Sequence, residues 1–131
     1  MYTYKAVIKN IVDGDTYDVD IDLGFHIHIH ERVRILDLDT PECRGKEKNL
    51  GLICKQFAIE NFMYHSIILQ SKEEIQEPKT DNFGRWLCRI FLDNPEKEEI
   101  AKIFSQLGCN KLRDNYKEEC VLRLKETFSS F

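Results

Sequence analysis

The residue patterns predict an α+β, mainly β fold: a five-stranded OB-like barrel with packed helices, formed as one domain over residues 1–131. Three observations carry that expectation. Five short runs have the two-residue alternation or β-branched content of strands. One run with helical spacing falls after the third of them, and further helical runs follow the fifth. Five short strands with a helix after the third match an OB-like barrel, an architecture that often offers a face to nucleic acid. The barrel core should span about residues 2–108 and a helical segment about 109–131, with no internal repeat and no low-complexity stretch.

Residues 2–11 read as the first strand, with Ala6, Ile8 and Asn10 on one side and Lys5, Val7 and Lys9 on the other, imperfectly sorted. Asp13-Gly14 supplies the positive backbone angles of a tight hairpin turn. Residues 16–23 return with Tyr17, Val19 and Ile21 inward and Asp18, Asp20 and Asp22 toward solvent. After Gly24, Phe25-His26-Ile27-His28-Ile29-His30 alternates, so its three histidines should share one strand face. Such a row can bind a transition metal. The simpler reading is a solvent-facing strip beside an isoleucine core, because no further ligand is evident. Residues 32–38 form the third strand, with Val33 and Ile35 inward and Leu36 a further core candidate; Pro41 in Asp39-Thr40-Pro41 blocks continuation of the ladder.

Residues 44–49 are polar and read as a loop. Leu50, Ile53, Cys54, Phe57, Ala58, Asn61 and Phe62 recur at helical spacing over residues 50–63. Residues 66–69 are a short strand, 71–81 an exposed connection containing Pro78, and 86–92 a strand that pairs with the preceding one. A helix is expected over 96–107, begun by Asp93-Asn94-Pro95 and stopped by Gly108, with Ile100, Ile103, Phe104 and Leu107 on one face. The last, over 115–128, would face inward through Cys120, Val121, Leu124 and Phe128.

The net charge of −4 argues against a broad basic coat for nucleic acid, which needs many Lys and Arg contacts to phosphate. A local phosphate site remains open, because the nearby field governs a bound phosphate. Five scattered cysteines with no Cys-x-x-Cys favour neither a disulfide framework nor a zinc site and fit a reducing compartment. Residues 1–5 do not read as a secretory leader, and no stretch resembles a membrane span.

Chemistry concentrates in residues 12–42. Asp15 lies just past a turn, Asp39 at a strand end and Glu42 just beyond a proline; strand pairing could gather these carboxylates, which then need a cation. Calcium suits them, as a hard ion taking carboxylates, carbonyls and waters in flexible geometry, with magnesium and manganese as further options. Arg34 sits amid apolar residues and Arg85 follows Gly84 at the head of a strand. An isolated arginine is more often a structural partner of an acid, but these two occur together with the acidic motifs.

The segments Val12-Asp13-Gly14-Asp15-Thr16, Val33-Arg34-Ile35-Leu36-Asp37-Leu38-Asp39-Thr40-Pro41-Glu42, Gly51 at a helix start, and Thr80-Asp81-Asn82-Phe83-Gly84-Arg85-Trp86-Leu87 resemble, in order and spacing over roughly residues 5–108, the staphylococcal-nuclease (thermonuclease) family. The resemblance implies calcium-dependent hydrolysis of phosphodiester bonds in DNA or RNA, at the phosphorus to 5′-oxygen bond, leaving a 3′-phosphate. By it, Asp15 and Asp39 bind Ca2+ through carboxylates and Thr40 through its main-chain oxygen. Glu42 holds and deprotonates water, and Arg34 and Arg85 grip the phosphate. Phe83, Lys111 and Tyr116 are the candidate substrate contacts; Asn82 and Phe83 stand where the family often has Lys and Tyr, and the tyrosine-rich strand after Gly108 is lacking. No obligate protein partner is evident.

Three other readings compete. One is a nuclease-like barrel without catalysis that binds nucleic acid or protein, disfavoured by the complete set Asp15, Arg34, Asp39, Glu42 and Arg85. Another is a single-strand binder using exposed aromatics and a basic groove, disfavoured by the acidity. A third is a metal-binding scaffold centred on the histidines.

Overall fold

A computed structural model describes residues 2–71 and 85–128. Five strands close into a barrel in the order β1-β2-β3-β5-β4. They are β1 (Thr3–Asp13), β2 (Thr16–Asp22), β3 (His28–Ile35), β4 (Ser66–Gln70) and β5 (Trp86–Leu92), and the helices are α1 (Lys48–Phe62), α2 (Ile100–Gln106) and α3 (Glu118–Phe128). All pairings are antiparallel except β3 with β5, where Val33, Arg34 and Ile35 lie opposite Trp86, Leu87 and Cys88. The expected OB-like α+β architecture is therefore present.

The imperfect alternation of the first strand has a cause. The β1–β2 register slips between Ile8 and Asn10, so burial passes from Ala6 and Ile8 to Ile11, and Asn10, expected on the core side, is exposed. A bulge turns the strand's inward face by one residue. On β2 the alternation holds: Tyr17, Val19 and Ile21 are buried, while Asp18, Asp20 and Asp22 lie on the outer side.

The histidine row is shorter than expected. Gly24, Phe25 and His26 have φ of 80°, 53° and 64°, so His26 belongs to the turn and only His28 and His30 stand on β3. Ile27 and Ile29 are 54% and 37% exposed, so no isoleucine core lies behind them. The hairpin projects past the region where the interior could cover them. β3 also ends before Leu36, and Leu38 enters the core instead.

Helix α1 begins at Lys48, preceded by a 3-10 turn at Gly45–Glu47 within the expected loop. It buries Gly51, Ile53, Cys54, Ala58 and Phe62; Asn61 is exposed, its Nδ2 donating to the Phe57 carbonyl. Phe57, Phe62 and Phe104 meet edge-on or tilted with centroids 5.3–6.2 Å apart, contacts worth roughly 0.5–1.5 kcal/mol each beyond area burial. The helix expected over 96–107 is only Ile100–Gln106, because Glu99 is extended and bridges to Phe91. Gly108 ends it at φ 75°, and a side chain there would also meet Cys120 Cβ at 2.9 Å. Helix α3 starts at Glu118, later than expected, and buries Val121 and Leu124 near α1. The expected connection over 71–81 lies, beyond residue 71, outside the described residues, as does the side chain of Phe128.

Candidate active site

The β1–β2 turn, the end of β3 and the loop after it fold onto one another. Gly14 is not left-handed, contrary to the expectation of positive angles in the turn. Its missing side chain matters for space: a Cβ would stand 2.7 Å from Thr40 Oγ1. The turn can therefore lie against the 38–42 loop. The Tyr17 hydroxyl, fully buried, donates to the Gly14 carbonyl at 2.8 Å, and the Ile35 N–H donates to the Asp15 carbonyl at 2.9 Å.

Asp15 becomes a buried carboxylate in consequence. Its Oδ1 accepts from the Thr16 hydroxyl at 3.0 Å, and its Oδ2 from the Thr40 N–H at 3.1 Å. Burial pushes its pKa above the usual carboxylate value, outweighing the Arg34 charge and the hydrogen bonds from Thr40 and Thr16, which act downward. At this site desolvation of the carboxylate exceeds what one neighbouring guanidinium returns.

Arg34 Nη2 lies 3.3 Å from Asp15 Oδ2 and 3.5 Å from Asp39 Oδ1, and donates to the Leu38 carbonyl at 3.0 Å. One nitrogen thus sits between the two acids. These contacts all use Nη2, so they leave the rest of the planar fork uncommitted. Arg85, just before β5 and so beside β3, reaches across to β2, its Nη1 donating to Thr16 Oγ1 at 3.2 Å.

Asp39 is held by a residue that the sequence reading missed. Asn110 is fully buried and bonds four ways: Oδ1 accepts from the N–H groups of Asp39 (3.0 Å) and Leu112 (3.1 Å), and Nδ2 donates to Asp37 O and Ser105 Oγ, both at 2.9 Å. A clamp made 71 positions away leaves no local pattern to read. The left-handed Asp37, φ 62°, is fixed further by Arg89, which also bonds Glu99.

Glu42 is exposed, and its N–H donates to Glu47 Oε2 at 3.3 Å. Gly51 of α1 packs under its carbonyl so closely that a side chain would overlap it. Lys111 bonds the Asp39 carbonyl through its N–H, but its ammonium pairs with Glu47 at 2.9 Å.

One cleft of about 500 Å³ is lined by Asp13, Asp15, Thr16, Arg32, Arg34, Asp39, Thr40, Glu42, Cys43, Arg44 and Arg85, with Val12 and Pro41. The six principal residues expected from sequence, Asp15, Arg34, Asp39, Thr40, Glu42 and Arg85, all line it. Lys111 and Tyr116 do not, and Tyr116 packs against the core; Phe83 lies outside the described residues. Burial and a bond to Asp13 push the Cys43 thiol up to about 12, which suits neither a nucleophile nor a metal-binding thiolate at neutral pH.

The acidic side chains facing the cleft offer hard oxygens, and among the described residues Thr40 Oγ1 is buried without a hydrogen-bond partner. Among the described residues no group of three or more His, Cys, Asp or Glu side chains is gathered as a metal cage. A cation here would have two carboxylates, Asp15 and Asp39, and would complete its shell with main-chain oxygen and water. That donor chemistry fits Ca2+ and not Zn2+. Among the described residues no helix is long and apolar enough to cross a membrane. Neither a scan against protein-family models nor a search of curated proteins gives a match to the chain.

Proposed function

We propose that this protein is a calcium-dependent nuclease of the staphylococcal-nuclease (thermonuclease) type, which hydrolyses phosphodiester bonds of DNA or RNA by in-line attack of water. One observation carries the reading: two acids that suit a hard cation, two arginines that suit a phosphate and one exposed carboxylate converge on a single cleft, from segments up to 70 residues apart in the chain. Asp15, Asp39 and the Thr40 main-chain oxygen would hold Ca2+, which when bound polarises the phosphoryl oxygens and offsets their charge.

The chain's own groups divide the remaining work. Arg34 and Arg85 bind the phosphate through guanidinium donors, whose planar fork matches phosphate oxygens. As water adds, they stabilise the extra negative charge; such donors act most strongly where the charge develops. Glu42, facing water at the cleft, orients the attacking molecule and takes its proton, although a carboxylate is a weak base and depends on that stabilisation. Arg32 and Arg44 extend the cationic lining.

Digestion of a defined oligonucleotide, with calcium and with a chelator, tests the proposal. Calcium-dependent fragments ending in 3′-phosphate are expected. Binding without cutting would instead favour a nuclease-like barrel that has lost catalysis.

A further inference from the structure

We propose that Asp20, His28 and His30 form a second cation site, selective for a borderline transition metal of the Zn2+ class, on the outer face of the β2–β3 hairpin. None of the three lines the cleft. Asp20 lies opposite His30 in the ladder and diagonal to His28, and His28 and His30, two apart on one strand, project to the same side.

Asp20 Oδ1 is 3.4 Å from His28 Nδ1 and 3.9 Å from His30 Nδ1. Two ligands about 2.05 Å from a tetrahedral ion stand about 3.4 Å apart. The His28–Asp20 spacing has that value, and His30 has a short distance to close. Its side chain is 79% exposed, so the ring can swing without disturbing the core. The three are thus an open arrangement rather than a finished cage, in keeping with the lack of a gathered cluster among the described residues.

Asp20 Oδ1 is buried yet accepts no hydrogen bond among the described residues, a costly state for a carboxylate oxygen unless something else meets it. The neighbouring acids are engaged: Asp18 is bound by Arg32 at 2.7 Å, and Asp22 Oδ1 accepts from the Gly24 N–H at 2.8 Å. Imidazole nitrogens with one carboxylate select Zn2+, Ni2+ or Cu2+ over Ca2+. The remaining coordination positions face solvent, which leaves them to water. An ion here would tie the two strands at the base of the turn carrying Phe25, which is 96% exposed.

The test is calorimetric titration of the whole chain with Zn2+ at neutral pH in excess calcium, alongside melting curves. One equivalent should bind and raise the melting temperature. Asp20→Asn, His28→Gln and His30→Gln should each weaken binding at least about tenfold, while His26→Gln and Asp15→Asn leave it unchanged. Cobalt substituted for zinc should give a visible absorption band that the same three substitutions remove. His28 and His30 are exposed and Asp20, half-buried, lies on the outer side of a paired hairpin, so circular dichroism should report folded variants. Absence of zinc binding, zinc binding that survives His28→Gln with His30→Gln, or its loss in Asp15→Asn would each overturn the site. None of these outcomes bears on calcium-dependent cutting.

Discussion

Gly51 and Glu42 touch backbone to backbone: a side chain on Gly51 would overlap the Glu42 carbonyl and crowd the Cys43 nitrogen at 2.6 Å. Helix α1 thereby fixes the height at which the Glu42 loop enters the cleft. Gly51→Ala should displace that loop, since backbone cannot swing aside as a flexible side chain can. We expect a loss of at least about 2 kcal/mol in stability and a fall in calcium-dependent cutting larger than the fraction unfolded explains. Gly45→Ala is the comparison. Its φ is 68° with open space around it, so it should cost only about 1 kcal/mol of backbone strain. Urea melts and initial rates on both variants decide; equal effects would remove Gly51 from any positioning role.

Arg34→Lys and Glu42→Gln should each lower turnover by roughly 10²- to 10³-fold with the fold intact. Lysine keeps the charge, but a single ammonium cannot present the planar fork that matches phosphate oxygens. Glutamine keeps the shape of Glu42 but accepts no proton. Rates on purified variants, with circular dichroism as the control, check both; near-normal cutting by either excludes that residue from the mechanism.

Legibility in the sequence followed the range of the forces involved. Period-two alternation on β2 and the spacing of Ile53, Cys54 and Phe62 on α1 are local consequences of burial, and both elements lie where the pattern placed them. Asp15 and Asp39 stood out only jointly with Arg34, Glu42 and Arg85, since an aspartate at a turn is ordinary by itself. The β1 bulge, the early turn at Phe25 and His26, and the shortened α2 were not legible, since each depends on a partner strand or on Glu99 reaching Phe91. Asn110 was invisible for the same reason: an asparagine two positions after a glycine signals a loop, and only the tertiary contact turns it into a clamp.

Asn110→Ala should uncouple α2 from the Asp37–Asp39 turn. It removes four hydrogen bonds at a fully buried position and leaves the Asp39 N–H without its acceptor. A destabilisation of about 2–4 kcal/mol is expected, as unsatisfied buried groups cost more than the bonds they lose. If Asn110 positions Asp39, the calcium concentration giving half-maximal activity should rise with the maximal rate less affected. Asn110→Asp serves as a second variant, retaining the acceptor for Asp39 and Leu112. An unchanged calcium requirement in both would make Asn110 a structural residue alone.

Asp15→Asn should separate stability from function. Burial raises the pKa of Asp15 in the folded protein above its ordinary value of 3.8, so the folded state favours the protonated form. Its contribution to stability is therefore fully present below the unfolded pKa and lost as pH rises through the folded value. At neutral pH without calcium the ionised side chain is a liability that a neutral isostere relieves. Asparagine can orient its oxygen toward the Thr40 N–H and its amide toward the Thr16 hydroxyl, keeping both contacts. The variant should melt a few degrees above the parent at neutral pH in chelator, and the difference should shrink or reverse below pH of about 4. Adding calcium should raise the parent's melting temperature and not the variant's. A variant that melts lower than the parent at neutral pH in chelator would mean that the Arg34 and backbone contacts outweigh burial at Asp15.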